Sequence, residues 1–128
     1  MHYIDNNETC KDGDLLLMDF GAEYANYTAD MSRTIPINGK FSKRQADCYE
    51  AVLRVFKELR KLYISGNSPD FINTTAERLM ETEMIRLGLF TAKDIKKQDA
   101  ENPLFKKYFM HGVAHPIGLD VHDVGSKY

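Results

Sequence analysis

The stretch LLLMDFGAEYANYTADMSRTIP, residues 15–36, decides the fold, because it sets Asp19 and Asp30 eleven residues apart among apolar and aromatic neighbours. LLLMDF reads as a buried strand, entered through the turn KDGD at 11–14 and ended or bent by Gly21. Tyr24 to Thr34 is rich in Tyr and Thr and predicts a second strand. So short a connection favours an antiparallel pair. In such a pair, residues eleven apart lie nearly opposite each other. On a shared face their carboxylates meet across the ladder.

Two facing carboxylates repel unless they share a proton, pair with a base or bind a cation. Arg33 is near, but its odd spacing from Asp30 sends it to the other face of a strand. A plainer alternative ends the strand at Asp19 and leaves Asp30 on a solvated face. The run Leu15, Leu16, Leu17 and Met18 argues against it, since it carries Asp19 into the interior.

Downstream, PINGKF at 36–41 signals a turn, and Ser42 with Gln45 forms a capping-box pattern. A long helix is expected from Lys43 to about Ile64, closed by Gly66. Its apolar stripe is Ala46, Tyr49, Val52, Leu53, Phe56, Leu59, Leu62 and Tyr63. A second helix is expected from Ser68-Pro69 to Leu87, with Gly88 just past its end. Its apolar stripe of Phe71, Ile72, Ala76, Leu79, Met80, Met84 and Leu87 reads as core. Residues 91–107 are polar, partly helical and broken before Pro103. The fold class is therefore α+β, with antiparallel strands and two long helices.

The chain has 128 residues, enough for one domain at most. Seventeen Lys and Arg against nineteen Asp and Glu leave a charge of −2, which gives no footprint for nucleic acid. No apolar run reaches the roughly 18 residues of a membrane span, and the start MHYIDNNET lacks the pattern of a signal peptide. Cys10 and Cys48 make neither a metal spacing nor a disulfide framework, so two free thiols in a reducing, cytoplasmic compartment are expected.

Three of the four histidines, His111, His115 and His122, fall within twelve residues and are followed by Asp123. Gly112, Pro116 and Gly118 argue against a helix, so extended chain and loops must carry these rings to one cleft. Carboxylate and imidazole donors together suit Mn, Zn, Co or Fe(II) rather than a thiolate site. Bridging carboxylates favour two metals about 3.5–4 Å apart that activate a shared water.

DFGAEYANYTADMSRTIPINGKF followed by HGVAHPIGLDVHDVG resembles metallopeptidase family M24, the aminopeptidase P and prolidase group with the pita-bread fold shared by methionine aminopeptidase and creatinase. SRTIPINGKF looks closer to aminopeptidase P than to prolidase. The resemblance runs from His2 to the end and implies that residues 1–128 are an internal part of the catalytic domain. It implies Asp19, Asp30 and His115 as metal ligands, Asp30 bridging two ions. It implies His2, His111 and His122 as catalytic histidines that hold substrate and assist proton transfer, with Asp123 orienting its neighbours or capping a turn. Two further glutamate ligands of the family would follow HDVG and are not in this sequence.

The implied activity is release of the first residue from peptides with proline second, by two divalent metals, manganese first, with zinc or cobalt as alternatives. The parent is expected to be a homo-oligomer, and this chain alone to be a poor enzyme that binds one ion weakly and self-associates. Prolidase action on Xaa-Pro dipeptides, or a non-catalytic pita-bread binding module, are the rival readings.

Overall fold

The computed structural model describes residues 3–125. Strand β1, Leu15–Phe20, pairs antiparallel with β4, Met31–Pro36. Between them a small ladder forms from β2, Glu23–Tyr24, and β3, Tyr27–Thr28. The expected second strand is therefore two pieces. Its break is the two-residue turn Ala25-Asn26, where φ is +51° and +69°. Positive φ at both residues matches the right-handed twist of a tight hairpin, although Ala25 enters the left-handed region without glycine's freedom.

Helix α1 spans Lys43–Arg60 and α2 spans Pro69–Arg86. Ser42 and Gln45 close the capping box at the start of α1 through both of its bonds. Ser68 caps α2 by accepting from the Phe71 amide, with Pro69 in the first turn. Past α2, the Gly88 amide donates to Ile85 O and the Leu89 amide to Met84 O, both at 3.0 Å. With φ +72° at Gly88 this is a Schellman ending. Helix α1 stops short of the expected Ile64. Lys61 caps it, and residues 61–67 turn back through Gly66 at φ +99°. A short helix α3, Ala92–Lys97, and a 3-10 turn, Leu104–Lys107, fill the polar stretch.

The core lies between the two helices. Val55 and Leu59 of α1 meet Ile72, Ala76, Met80 and Met84 of α2, and Phe105 closes one end. Ala51 and Ala76 are fully buried, and such small side chains allow close helix approach. Of the α1 stripe read from the sequence, Leu59 belongs to this core and Leu62 packs against it. Val52 and Phe56 lie on a second face of α1, half exposed, across a largely apolar cleft of about 490 Å³ from Leu15 and Leu17. Nor is β1 buried: Leu17 is 67 % exposed. Among the described residues β1 has one partner strand, and the cleft keeps α1 from covering it.

One charge sits inside the helix pair. Glu83, 7 % exposed, bonds Arg54 of α1 at 2.7 Å and Arg86 of its own helix at 2.7 Å. The Arg54 hydrogen bond holds its carboxyl below the usual range against the opposing effect of burial, and the charges of Arg54 and Arg86 add to the lowering. Glu83→Gln should lower stability by about 1.5–3 kcal/mol near neutral pH, the range for a hydrogen bond to a charged group. A carboxyl with a lowered folded pKa contributes above its unfolded pKa and loses that contribution as the pH falls through the folded value. Urea titrations across the acid range should show the wild type converging on the variant. A constant gap would refute the ion-pair account.

Candidate metal centre

Asp19 stands opposite Ser32 in the β1–β4 register. The Ser32 hydroxyl donates to Asp19 Oδ1 at 2.9 Å. Asp30 lies one residue before β4, and one further step of the ladder would set it against Gly21. The two aspartates are thus diagonal neighbours on one face rather than a directly opposed pair. Diagonal positions stand about 7–8 Å apart, which eases the repulsion anticipated from the sequence. Both residues lie at the surface rather than in an interior. Gly21 permits this geometry, since a Cβ there would sit 1.7 Å from the Ala29 carbonyl oxygen.

His115 arrives from 85 residues away and meets Asp30. Its Nδ1 lies 2.9 Å from the Pro116 carbonyl oxygen, and its Nε2 lies 2.9 Å from Asp30 Oδ2. A carbonyl only accepts, so Nδ1 carries a proton. Nε2 faces a carboxylate oxygen of Asp30, to which it donates when the ring is protonated. The Pro116 carbonyl is the main cause of a pKa raised above the ordinary histidine value. Loss of hydration opposes it, while the Asp30 bond and the charges of Asp30 and Asp19 add to it. The influence of both carboxylates on this ring places all three groups in one electrostatic neighbourhood.

His122 stacks on His115 with ring centroids 3.9 Å apart and planes 8° from parallel. It also lines, with Asp19, Gly21, Thr28 and Asp30, a cavity of about 480 Å³. The segment that carries these rings is irregular, as its glycines and proline require. It is tied at both ends: the Thr28 amide and hydroxyl donate to Gly118 O at 2.8 and 2.9 Å, and the Val113 amide donates to Asn73 Oδ1 of α2 at 3.2 Å. No sequence signal announces Thr28, because its partner is 90 residues distant. Ser32 was not singled out either, because its place opposite Asp19 follows from a strand register that the sequence left open.

Of the other expected histidines, only His111 lies among the described residues, and it stands apart from this group. His111 lines a separate, smaller cavity with Asn73 and Glu77 of α2. His2 lies outside the described residues. Among the described residues, no three His, Cys, Asp or Glu side chains gather tightly enough to hold a metal ion. The donor types nevertheless fit a divalent cation: two carboxylates and an imidazole whose outer nitrogen is already committed to a carbonyl. No helix among the described residues is long and apolar enough to cross a membrane.

The signature of metallopeptidase family M24 matches residues 1–128. The chain belongs to this family. It is 40 % identical over 126 residues to the Xaa-Pro aminopeptidase of Haemophilus influenzae, a match covering 98 % of this chain and 29 % of that protein. The human Xaa-Pro aminopeptidase 3 is 38 % identical, with 96 % of this chain and 24 % of that protein covered. Zinc-substituted Escherichia coli aminopeptidase P in complex with product superposes with a TM-score of 0.86 at 38 % identity, over 98 % of this chain and 28 % of that one. The chain thus spans less than a third of these relatives, and its α+β architecture is that of the corresponding part of the pita-bread fold.

Two outcomes follow from this geometry. Gly21→Ala should part the strand ends, because the collision is with backbone, and should cost at least the roughly 1–3 kcal/mol of an overpacked site. Hydrogen exchange would report it as lost protection at Phe20 and Met31, and unchanged protection there would overturn it. In the metal-free chain, NMR titration should place His115 above a free histidine, and Asp30→Asn should bring it down. A folded pKa raised in this way adds stability below the unfolded pKa and loses it as pH rises through the folded value.

Proposed function

We propose that this chain carries part of the metal site of an Xaa-Pro aminopeptidase, an enzyme that removes the first residue from peptides with proline second. The observation that carries the reading is His115, held by Pro116 at Nδ1 and turned by that bond to offer Nε2 beside Asp30 and Asp19. The names of the similar proteins and the product complex of a zinc-substituted relative support it.

In this reading Asp19, Asp30 and His115 are the ligands, and the Ser32 hydroxyl orients Asp19. A divalent ion, manganese by preference, supplies a water acidified toward neutral pH and a Lewis acid for the scissile carbonyl. The remaining work falls to side chains. His122 lines the cavity with both aspartates and is in place to hold the peptide. His111 and His2 are the further candidates for proton transfer, which must deliver a proton to the departing proline nitrogen. His115 gives up its Nε2 proton when Nε2 becomes a ligand, so metal binding and proton release are linked. With one contacting carboxylate–imidazole pair and Asp19 nearby, the chain alone holds a single ion weakly and catalyses poorly.

Calorimetric titration with Mn²⁺ tests the site. One weak equivalent is expected for this chain, with none for Asp30→Ala, and proton release should grow as the buffer pH falls below the raised His115 value. Two tight equivalents would overturn the single-ion account. Assay of the longer protein carrying this segment tests the activity. It should cut Xaa-Pro-Xaa peptides after the first residue, and Asp30→Ala should lose roughly 10³-fold or more in kcat/KM. Cleavage of Xaa-Pro dipeptides alone would assign the dipeptidase reaction instead.

A further inference from the structure

We propose that His122 is a positioning residue: its ring stacks on His115, held there by a loop that Asp123 closes, and so fixes the plane in which His115 Nε2 points. The inference rests on the reading of His115 as a ligand and adds a device that sets its direction.

Both nitrogens of His115 are engaged, one by Pro116 O and one by Asp30 Oδ2. These bonds lie near the ring plane and fix the ring within that plane. They restrain rocking of the plane about the line through the two acceptors only weakly. A parallel ring at 3.9 Å blocks that motion on one face. A ligand nitrogen must keep its lone pair aimed at the ion, and supports of this kind matter at metal sites.

His122 is itself referenced to the same frame. The Asp123 carboxylate accepts from the Leu119 amide at 2.9 Å and the Val124 amide at 2.7 Å. The Asp123 amide donates to Pro116 O at 3.1 Å, the same oxygen that receives His115 Nδ1. Residues 116–124 therefore fold back as a closed loop that returns His122 over His115. The closure is tight: a Cβ on Gly118 would stand 2.1 Å from Asp123 Oδ2. Thr28 then holds the Gly118 carbonyl from the hairpin that bears Asp30. His115, its stacking partner and its carboxylate partner thus share one set of backbone ties.

Stacking needs a flat ring, whereas hydrogen bonding or proton transfer by His122 needs its nitrogens. His122→Phe keeps the first and removes the second, and His122→Ala removes both. The test uses the 128-residue chain, with amide spectra to establish that each variant folds. Two readouts apply: the His115 Nδ1 proton resonance in the metal-free chain, and Zn²⁺ affinity by calorimetry. Both should survive in His122→Phe, with Zn²⁺ affinity within about twofold of wild type. In His122→Ala the resonance should broaden into solvent exchange and affinity should fall about 10-fold, the lower end for supports of metal ligands. Loss in His122→Phe equal to that in His122→Ala would overturn the proposal, as would wild-type behaviour of His122→Ala. If the resonance follows the expected pattern but no form of the chain binds Zn²⁺, the positioning role stands and the metal reading fails.

Discussion

The structure turns on a local excess of negative charge. The β1–β4 register sets Asp19 and Asp30 on one side of a two-stranded ribbon, and a positive group must come to them. Arg33 cannot serve from the opposite face, where its guanidinium donates to the Ser32 carbonyl. The group that comes is His115, from the far end of the chain, positive when its ring is protonated. Much of the surrounding architecture serves that long-range meeting. Gly21 lets the strand ends close near Asp30, the Ala25-Asn26 turn returns the chain, and Thr28 takes hold of the histidine segment at Gly118.

The helix pair supplies the frame for both arms. Its core is the best-buried part of the described chain. The hairpin is tied to it by Gln45, whose side-chain amide donates to Gly13 O at 2.9 Å. The histidine segment is tied by Asn73 to Val113 and by the burial of Phe105. The arms themselves are held chiefly by single hydrogen bonds, each worth about 0.5–1.5 kcal/mol net. A buried core side chain contributes about 1.5–3 kcal/mol through burial alone. The site therefore belongs to the portion of the fold that opens at lower free energy than the helices, as is common for regions that bind ligands. The apolar cleft between α1 and the hairpin has the same consequence, since polar ties rather than packing fix the hairpin's position.

Local chemistry was readable in the sequence, and distant closure was not. The capping box Ser42–Gln45, the Ser68 cap with Pro69 and the Gly88 ending depend on residues a few positions apart, and each stands where its residue types indicated. The antiparallel hairpin was legible for the same reason. The small β2–β3 ladder was not, because Ala25-Asn26 lacks the glycine that usually marks such a turn. Periodicity identified α1 but merged its two apolar faces, one against α2 and one toward the cleft. The family resemblance set His115 with Asp19 and Asp30; spacing alone showed the aspartate pair and a cluster of histidines. Spacing gave no means of separating His111, which depends on where α2 places Asn73 and Glu77.

Of the three ways to relieve a carboxylate pair, the second is within reach here: a base, His115, stands 2.9 Å from Asp30. That arrangement also prepares the third. In the protonated ring, the proton on Nε2 lies between the nitrogen and the carboxylate oxygen that would serve as neighbouring ligands, while the proton on Nδ1 is kept by Pro116. In the proposed reading, a cation entering there would displace one proton and leave the ring's tautomer and anchorage unchanged. Reorganisation is thereby confined to a single exchange of positive charge. The same exchange makes protons the natural competitor of the metal, because the features that raise the His115 pKa also strengthen its hold on the proton that must leave.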